Sequence, residues 1–155
     1  MKLLHVDGDE EALLAALLFE ASGTSEEATR IRLAALSADE RAQLLGDLVG
    51  ERANRRHRPG RGFEALRYRF EIVSDYGAFR DLQRHRMLTI EWQRLTPFHD
   101  YSRPDAVDQA GAAADFDAAM ACSRSLYEVM AERFPEQASY AVSLAYRVRF
   151  SMQMN

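Results

Sequence analysis

Two stretches of strict alternation constrain this chain more than any other feature. In "FEALRYRFEIV", Leu66, Tyr68, Phe70 and Ile72 alternate with Arg67, Arg69 and Glu71. In "LAYRVRFSMQMN", Tyr146, Val148, Phe150, Met152 and Met154 alternate with Arg147, Arg149, Ser151 and Gln153. Successive side chains of a strand point to opposite faces, so each stretch predicts a strand with one face on a core and one polar face. A third alternating run, "MLTIEWQRL" at 87–95, predicts another strand, and the apolar "KLLHV" at 2–6 predicts a short buried one. His5, inside that last run, reads as a core histidine with its hydrogen bonds satisfied.

Helical patterns fill the intervals. Asp7 or Asp9 is placed to cap a helix over "EEALLAALLFEAS", in which Leu13, Leu14, Leu17 and Leu18 follow helical spacing. Thr24 with Glu27 and Ser37 with Glu40 both match the capping box, and the second of these helices carries Leu44, Leu45, Leu48 and Val49 inward. Pro59, Gly60 and Gly62 make "RRHRPGRG" a loop. Asp75 then predicts a helix running to Arg84, His85 and Arg86, the region from Pro97 to Pro104 reads as loop, and the alanine-rich 106–134 reads as helix. Phe116, Met120, Tyr127, Met130 and Phe134 form a core stripe along that helix, and Cys122 is expected to be packed. Strands separated by helices and long connections, with half-polar faces, predict an α+β fold whose sheet is partly antiparallel and packed with helices, in a single domain over residues 1–155.

Composition narrows the function classes. With 155 residues, 47% apolar and 28% charged, the chain can bury one real core, and a net charge of -4 argues against a protein that coats nucleic acid. The basic island "RANRRHRPGRG" with Arg67 and Arg69 lacks the interleaved aromatics that stack bases, so it reads as a solvated or subunit-facing loop, with contact to a cofactor phosphate as the alternative. One cysteine cannot make a disulfide or a cysteine-based zinc site. His57, His85 and His99 are scattered, so no metal site is assigned. No signal peptide or membrane-spanning run is present, which points to a cytoplasmic protein with no membrane partner. Nor is there a P-loop, a dinucleotide glycine turn or a Gly-x-Ser-x-Gly elbow.

Arg84-His85-Arg86 at the predicted helix-to-strand junction has two readings. Cations in a last helical turn offset the negative end of the helix dipole. Two guanidiniums beside an imidazole also make a surface for a phosphate-bearing or anionic ring cofactor.

The triplet, with Thr89 supplying a hydroxyl three residues after it, resembles the signature of the flavin-dependent thymidylate synthases, Arg-His-Arg followed by two residues and a serine. The likeness extends along the chain. An opening strand and helix, His57 in a loop before a Glu64-bearing strand, the helix into the triplet and a closing strand ending at Asn155 fall in the family's order. The resemblance implies an FAD protein in which Arg84, His85, Arg86, Thr89, His57 and Asn155 contact the cofactor. It further implies a homotetramer with sites between subunits, and conversion of dUMP to dTMP with methylenetetrahydrofolate and NADPH.

The departures gather on the nucleotide. Where the family has Ser-x-Arg-Tyr this chain has Arg94-Leu95-Thr96-Pro97. Asp81 replaces a glutamine, Ser139 an arginine and Ala65 a histidine, and the resemblance leads us to expect that the family's segment beyond Asn155 is missing. Gln93 and Arg94 are then the candidate substitute substrate contacts. FAD binding is expected ahead of turnover, with a non-catalytic structural or flavin-binding homologue as the alternative.

Overall fold

Asp9 opens the first helix as its pattern requires: the carboxylate accepts from the Ala12 amide at 2.8 Å and starts α1 (Glu10–Ser22), which Gly23 closes at φ 62°. The computed structural model describes residues 1–51 and 53–155; Arg52, part of the basic island, lies outside the described residues. The chain divides into two compact units, one of residues 3–69 and 154–155, the other of residues 1–2 and 70–153.

β1 (Lys2–Asp7), which lies in the first unit from Leu3 onward, leads through Gly8 into α1. Gly8 has φ 92°, a conformation strained for any side chain, and a Cβ there would also stand 3.1 Å from the Ala65 carbonyl oxygen and displace the end of the Leu66 side chain. α2 (Glu26–Ala34) and α3 (Ala38–Val49) follow. Leu14, Ala15 and Leu33 are fully buried, with Leu18, Leu36, Leu44, Leu45 and Leu48 packed around them. The Ser37–Glu40 capping box forms as predicted. The other does not: Ser25 caps α2 by accepting from the Ala28 amide, while the Thr24 hydroxyl bonds those of Ser22 and Thr29. Val49, the last residue of α3, is exposed, whereas Leu48 beside it packs on the core, because one step along a helix turns the side chain about 100° away from the buried stripe. Glu64 lies in a 3-10 turn (Arg61–Ala65), paired with Arg61 at 3.0 Å, rather than in a strand.

In the second unit, Asp75 caps α4 (Tyr76–Leu82) through the Ala78 amide, and the Tyr76 and Gly77 amides donate to the carbonyls of Tyr146 and Leu144. β3 (Thr89–Trp92) pairs antiparallel with β4 (Arg147–Met154), with Thr89 opposite Gln153 and Trp92 opposite Phe150. Val148 and Phe150 are each 1% exposed, and Phe79 of α4 packs on Phe150 and Trp92 with ring centroids 4.9 and 5.5 Å apart. The predicted helix over 106–134 is interrupted at Gly111 (φ 71°), giving α5 (Asp105–Gln109) and α6 (Ala113–Arg133). Met120 and Tyr127 of α6 are buried, whereas Phe134, beyond the helix end, is exposed. Cys122 is exposed as well, because it sits off the face that α6 buries.

The sheet order is β1-β2-β4-β3, with β2 spanning Arg67–Asp75. The fold is thus α+β, with helices and an antiparallel sheet. β1, expected to be buried, is an edge strand with one neighbour, and Leu3, Leu4, His5 and Val6 are all exposed. β3 is shorter than predicted, although the Gln93 amide still donates to the Arg149 carbonyl at 2.9 Å.

Candidate functional site

The basic triplet follows α4 directly. The Gln83 amide bonds the Phe79 carbonyl, and the amides of Arg84, His85 and Leu88 bond the carbonyls of Asp81, Leu82 and His85, so a series of tight turns carries the chain into β3. Arg84, His85, Arg86 and Thr89 are all exposed on this segment. Both sequence readings of the triplet are compatible with that position, since it stands past a helix C-terminus and also faces solvent. A cleft of about 400 Å³ is lined by Gly77, Arg80, Asp81, Gln83, Arg84 and Leu144. Within it the Arg84 guanidinium bonds the Asp81 carboxylate one helical turn back.

The other candidates are dispersed. Gln93 lines a cleft of about 280 Å³ with Glu71, Glu91, Trp92, Arg149, Phe150 and Ser151. The Nε of Arg149 is buried there without a hydrogen-bond partner. Arg94 pairs with Glu136 at 2.9 Å. His57 belongs to the first unit, where its Nε2 lies 3.1 Å from the Asn54 amide nitrogen, and Asn155 is exposed at the end of the chain in the same unit. Arg84 and Gln93 therefore line separate clefts.

A third cleft, of about 330 Å³, sets Tyr146 beside residues that sequence patterns did not single out, Phe98, Asp100, Tyr101, Asp117 and Arg124 among them. Tyr101 donates its hydroxyl to Asp117 at 2.7 Å, and Arg103 grips both oxygens of the same carboxylate. The Tyr101 hydroxyl and then the Arg103 guanidinium hold the Asp117 carboxyl below its ordinary range, and bonding to Asp117 pushes the Tyr101 phenol up. Asp100 has φ 66° and ψ -176°, a conformation costly for any side chain, held by the Tyr101 amide on its carboxylate and the Arg147 amide on its carbonyl. Tyr101 and Asp117 are sixteen residues apart, a separation that no local motif reports.

The family model for thymidylate synthase complementing protein matches residues 2–155. The chain belongs to this family. Among relatives of this family member, a UPF0159 protein of Chlamydia muridarum is 42% identical over 112 residues, covering 72% of this chain and 21% of that one. A UPF0159 protein of Thermoplasma acidophilum is 33% identical over 151 residues, covering 95% of this chain and 30% of that one. The chain thus spans between a fifth and a third of the length of these relatives. Solved structures carry the same fold. The UMP/dUMP methylase PolB from Streptomyces cacaoi, bound with 5-Br dUMP, superposes with a TM-score of 0.72 at 15% identity, over 99% of this chain and 71% of that one. The flavin-dependent thymidylate synthase ThyX from Helicobacter pylori, complexed with FAD and dUMP, gives 0.61 at 15%, over 100% and 79%.

Proposed function

We propose that this chain is an FAD-binding, flavin-dependent thymidylate synthase-like protein. The observation that carries the reading is the exposed Arg84-His85-Arg86 turn at the α4–β3 junction beside an open cleft. The side chains fit the cofactor's chemistry: guanidiniums bind pyrophosphate oxygens by charge-assisted hydrogen bonds and offset the negative charge of a reduced flavin. Arg84, His85 and Arg86 would hold the cofactor, with Thr89, His57 and Asn155 as further contacts. When bound, FAD supplies the electrons of the family reaction, dUMP to dTMP with methylenetetrahydrofolate and NADPH. Gln93 and Arg94 are the proposed nucleotide contacts. We further take the protein to be a single functional domain, cytoplasmic and homo-oligomeric, a tetramer on the family's pattern. Among the described residues no helix is long and apolar enough to cross a membrane, which is consistent with that location.

A second reading, a homologue that binds flavin or is purely structural and has lost its nucleotide site, is favoured by one specific contact. Asp81 bonds part of the Arg84 fork and puts a carboxylate where the family resemblance expects a glutamine near the nucleotide phosphate. Titration separates the readings. Arg84→Ala and Arg86→Ala should each weaken FAD binding roughly ten- to a hundredfold, the worth of a charge-assisted contact, and unchanged affinity would remove the flavin site. Calorimetry of dUMP on the FAD-loaded protein should find about millimolar affinity if the nucleotide site has degenerated, while micromolar binding supports the synthase.

A further inference from the structure

We propose that α6 carries a self-association seam, and that its occupant is the α6 of a second copy lying antiparallel to it across a twofold axis. This inference rests on the homo-oligomer part of the proposed function and is independent of the flavin.

Asp115, Ala119, Cys122, Leu126, Val129 and Arg133 succeed one another in steps of four, three, four, three and four residues, the spacing of a coiled-coil a/d seam. All six are exposed, and Leu126 and Val129 remain 51% and 65% accessible. The helix buries a different face, through Met120 and Tyr127. An apolar stripe of this kind is left by a subunit whose own core is already served elsewhere.

What selects a second copy is the symmetry of the seam about the level of Arg124. Antiparallel pairing sets each a position against a d position of the partner. Asp115 then faces Arg133 of the second copy at both ends, Ala119 faces Val129, and Cys122 faces Leu126. Each small residue meets a larger one, and each charge meets its opposite. Arg124, which marks the level of the axis, lies off the seam, bonded to Glu128 and over the Phe98 ring. A parallel arrangement in the same register would instead set Asp115 against Asp115 and Arg133 against Arg133, with the helix dipoles aligned. The 21 residues of α6 make a rod of about 30 Å, long enough for all six positions to engage at once.

Sedimentation equilibrium with charge-swapped variants provides the test. The wild-type protein should form a dimer or higher even-numbered assembly at about 100 µM, and Leu126→Glu with Val129→Glu should weaken association at least about tenfold. Unchanged far-UV circular dichroism would show that the exposed substitutions leave the fold intact. Asp115→Arg and Arg133→Asp should each weaken self-association because each places like charges together. An equimolar mixture of the two single variants should recover it as heterodimer. A monomeric wild type overturns both this seam and the homo-oligomer it rests on. An assembly indifferent to the glutamates, or no gain on mixing, overturns the seam alone.

Discussion

The pairing of Asp81 with Arg84 sets how much positive charge the turn presents to a flavin phosphate. Both side chains are about three-quarters exposed, so the bond competes with water and with any incoming phosphate. Asp81→Asn should tighten FAD binding about two- to fivefold at low ionic strength, with the gain shrinking as salt is added. Fluorescence titration across a salt series checks this, and weaker binding in the variant would mean that Asp81 positions Arg84 productively. The sequence placed Asp81, an added carboxylate, where the resemblance expects a glutamine. It could not show that the carboxylate turns onto the triplet's own first arginine, because that depends on where the last turn of α4 ends.

Elements are joined in this protein through close backbone approach and through side chains reaching between segments. The 3-10 turn packs on α1 at Gly62, where a Cβ would lie 2.7 Å from the Leu17 amide nitrogen and 2.8 Å from its Cα. Because the obstacle is helix backbone, Gly62→Ala should destabilise the protein by about 1–3 kcal/mol, measured by chemical denaturation. A neutral result would show that the turn can withdraw. α6 is tied to the segment before α5 by Asp117, which binds Tyr101 and Arg103. Its carboxyl is held below the ordinary value of 3.8, so the folded state is the one that favours the ionised form. That contribution is complete above the ordinary value and disappears as pH falls through the lowered one. Asp117→Asn should therefore flatten the acid limb of the stability-pH curve, and an unchanged limb would assign it to other carboxylates. The capping residues Asp9, Ser37 and Asp75 were legible in the sequence since a cap is a local bond. Ser25 displaced Thr24 because two hydroxyls stood side by side and the Thr24 hydroxyl bonds those of Ser22 and Thr29 instead.

At the scale of the whole molecule, the two units differ in how much they bury. α3 contains no fully buried residue, while β4 is an inner strand with neighbours on both sides and Val148 and Phe150 nearly inaccessible. Hydrogen exchange should find α3 amides opening well before those of β4, and α3 outlasting β4 would contradict this ranking. By itself the sequence determined the α+β class, the four strands, most helix starts and the basic triplet at a helix-to-strand junction, because alternation, capping and turn chemistry act over a few residues. Its likeness to the flavin-dependent thymidylate synthases reached the family for the same reason, through a short contiguous motif and its order along the chain. Only the tertiary structure decided that β1 is an exposed edge, that Cys122 and Val49 face outward, that Arg84 is held by Asp81 and that Tyr101 meets Asp117. Burial and long-range pairing depend on which segments become neighbours, and one strand or helix pattern is compatible with several such arrangements until the chain has folded.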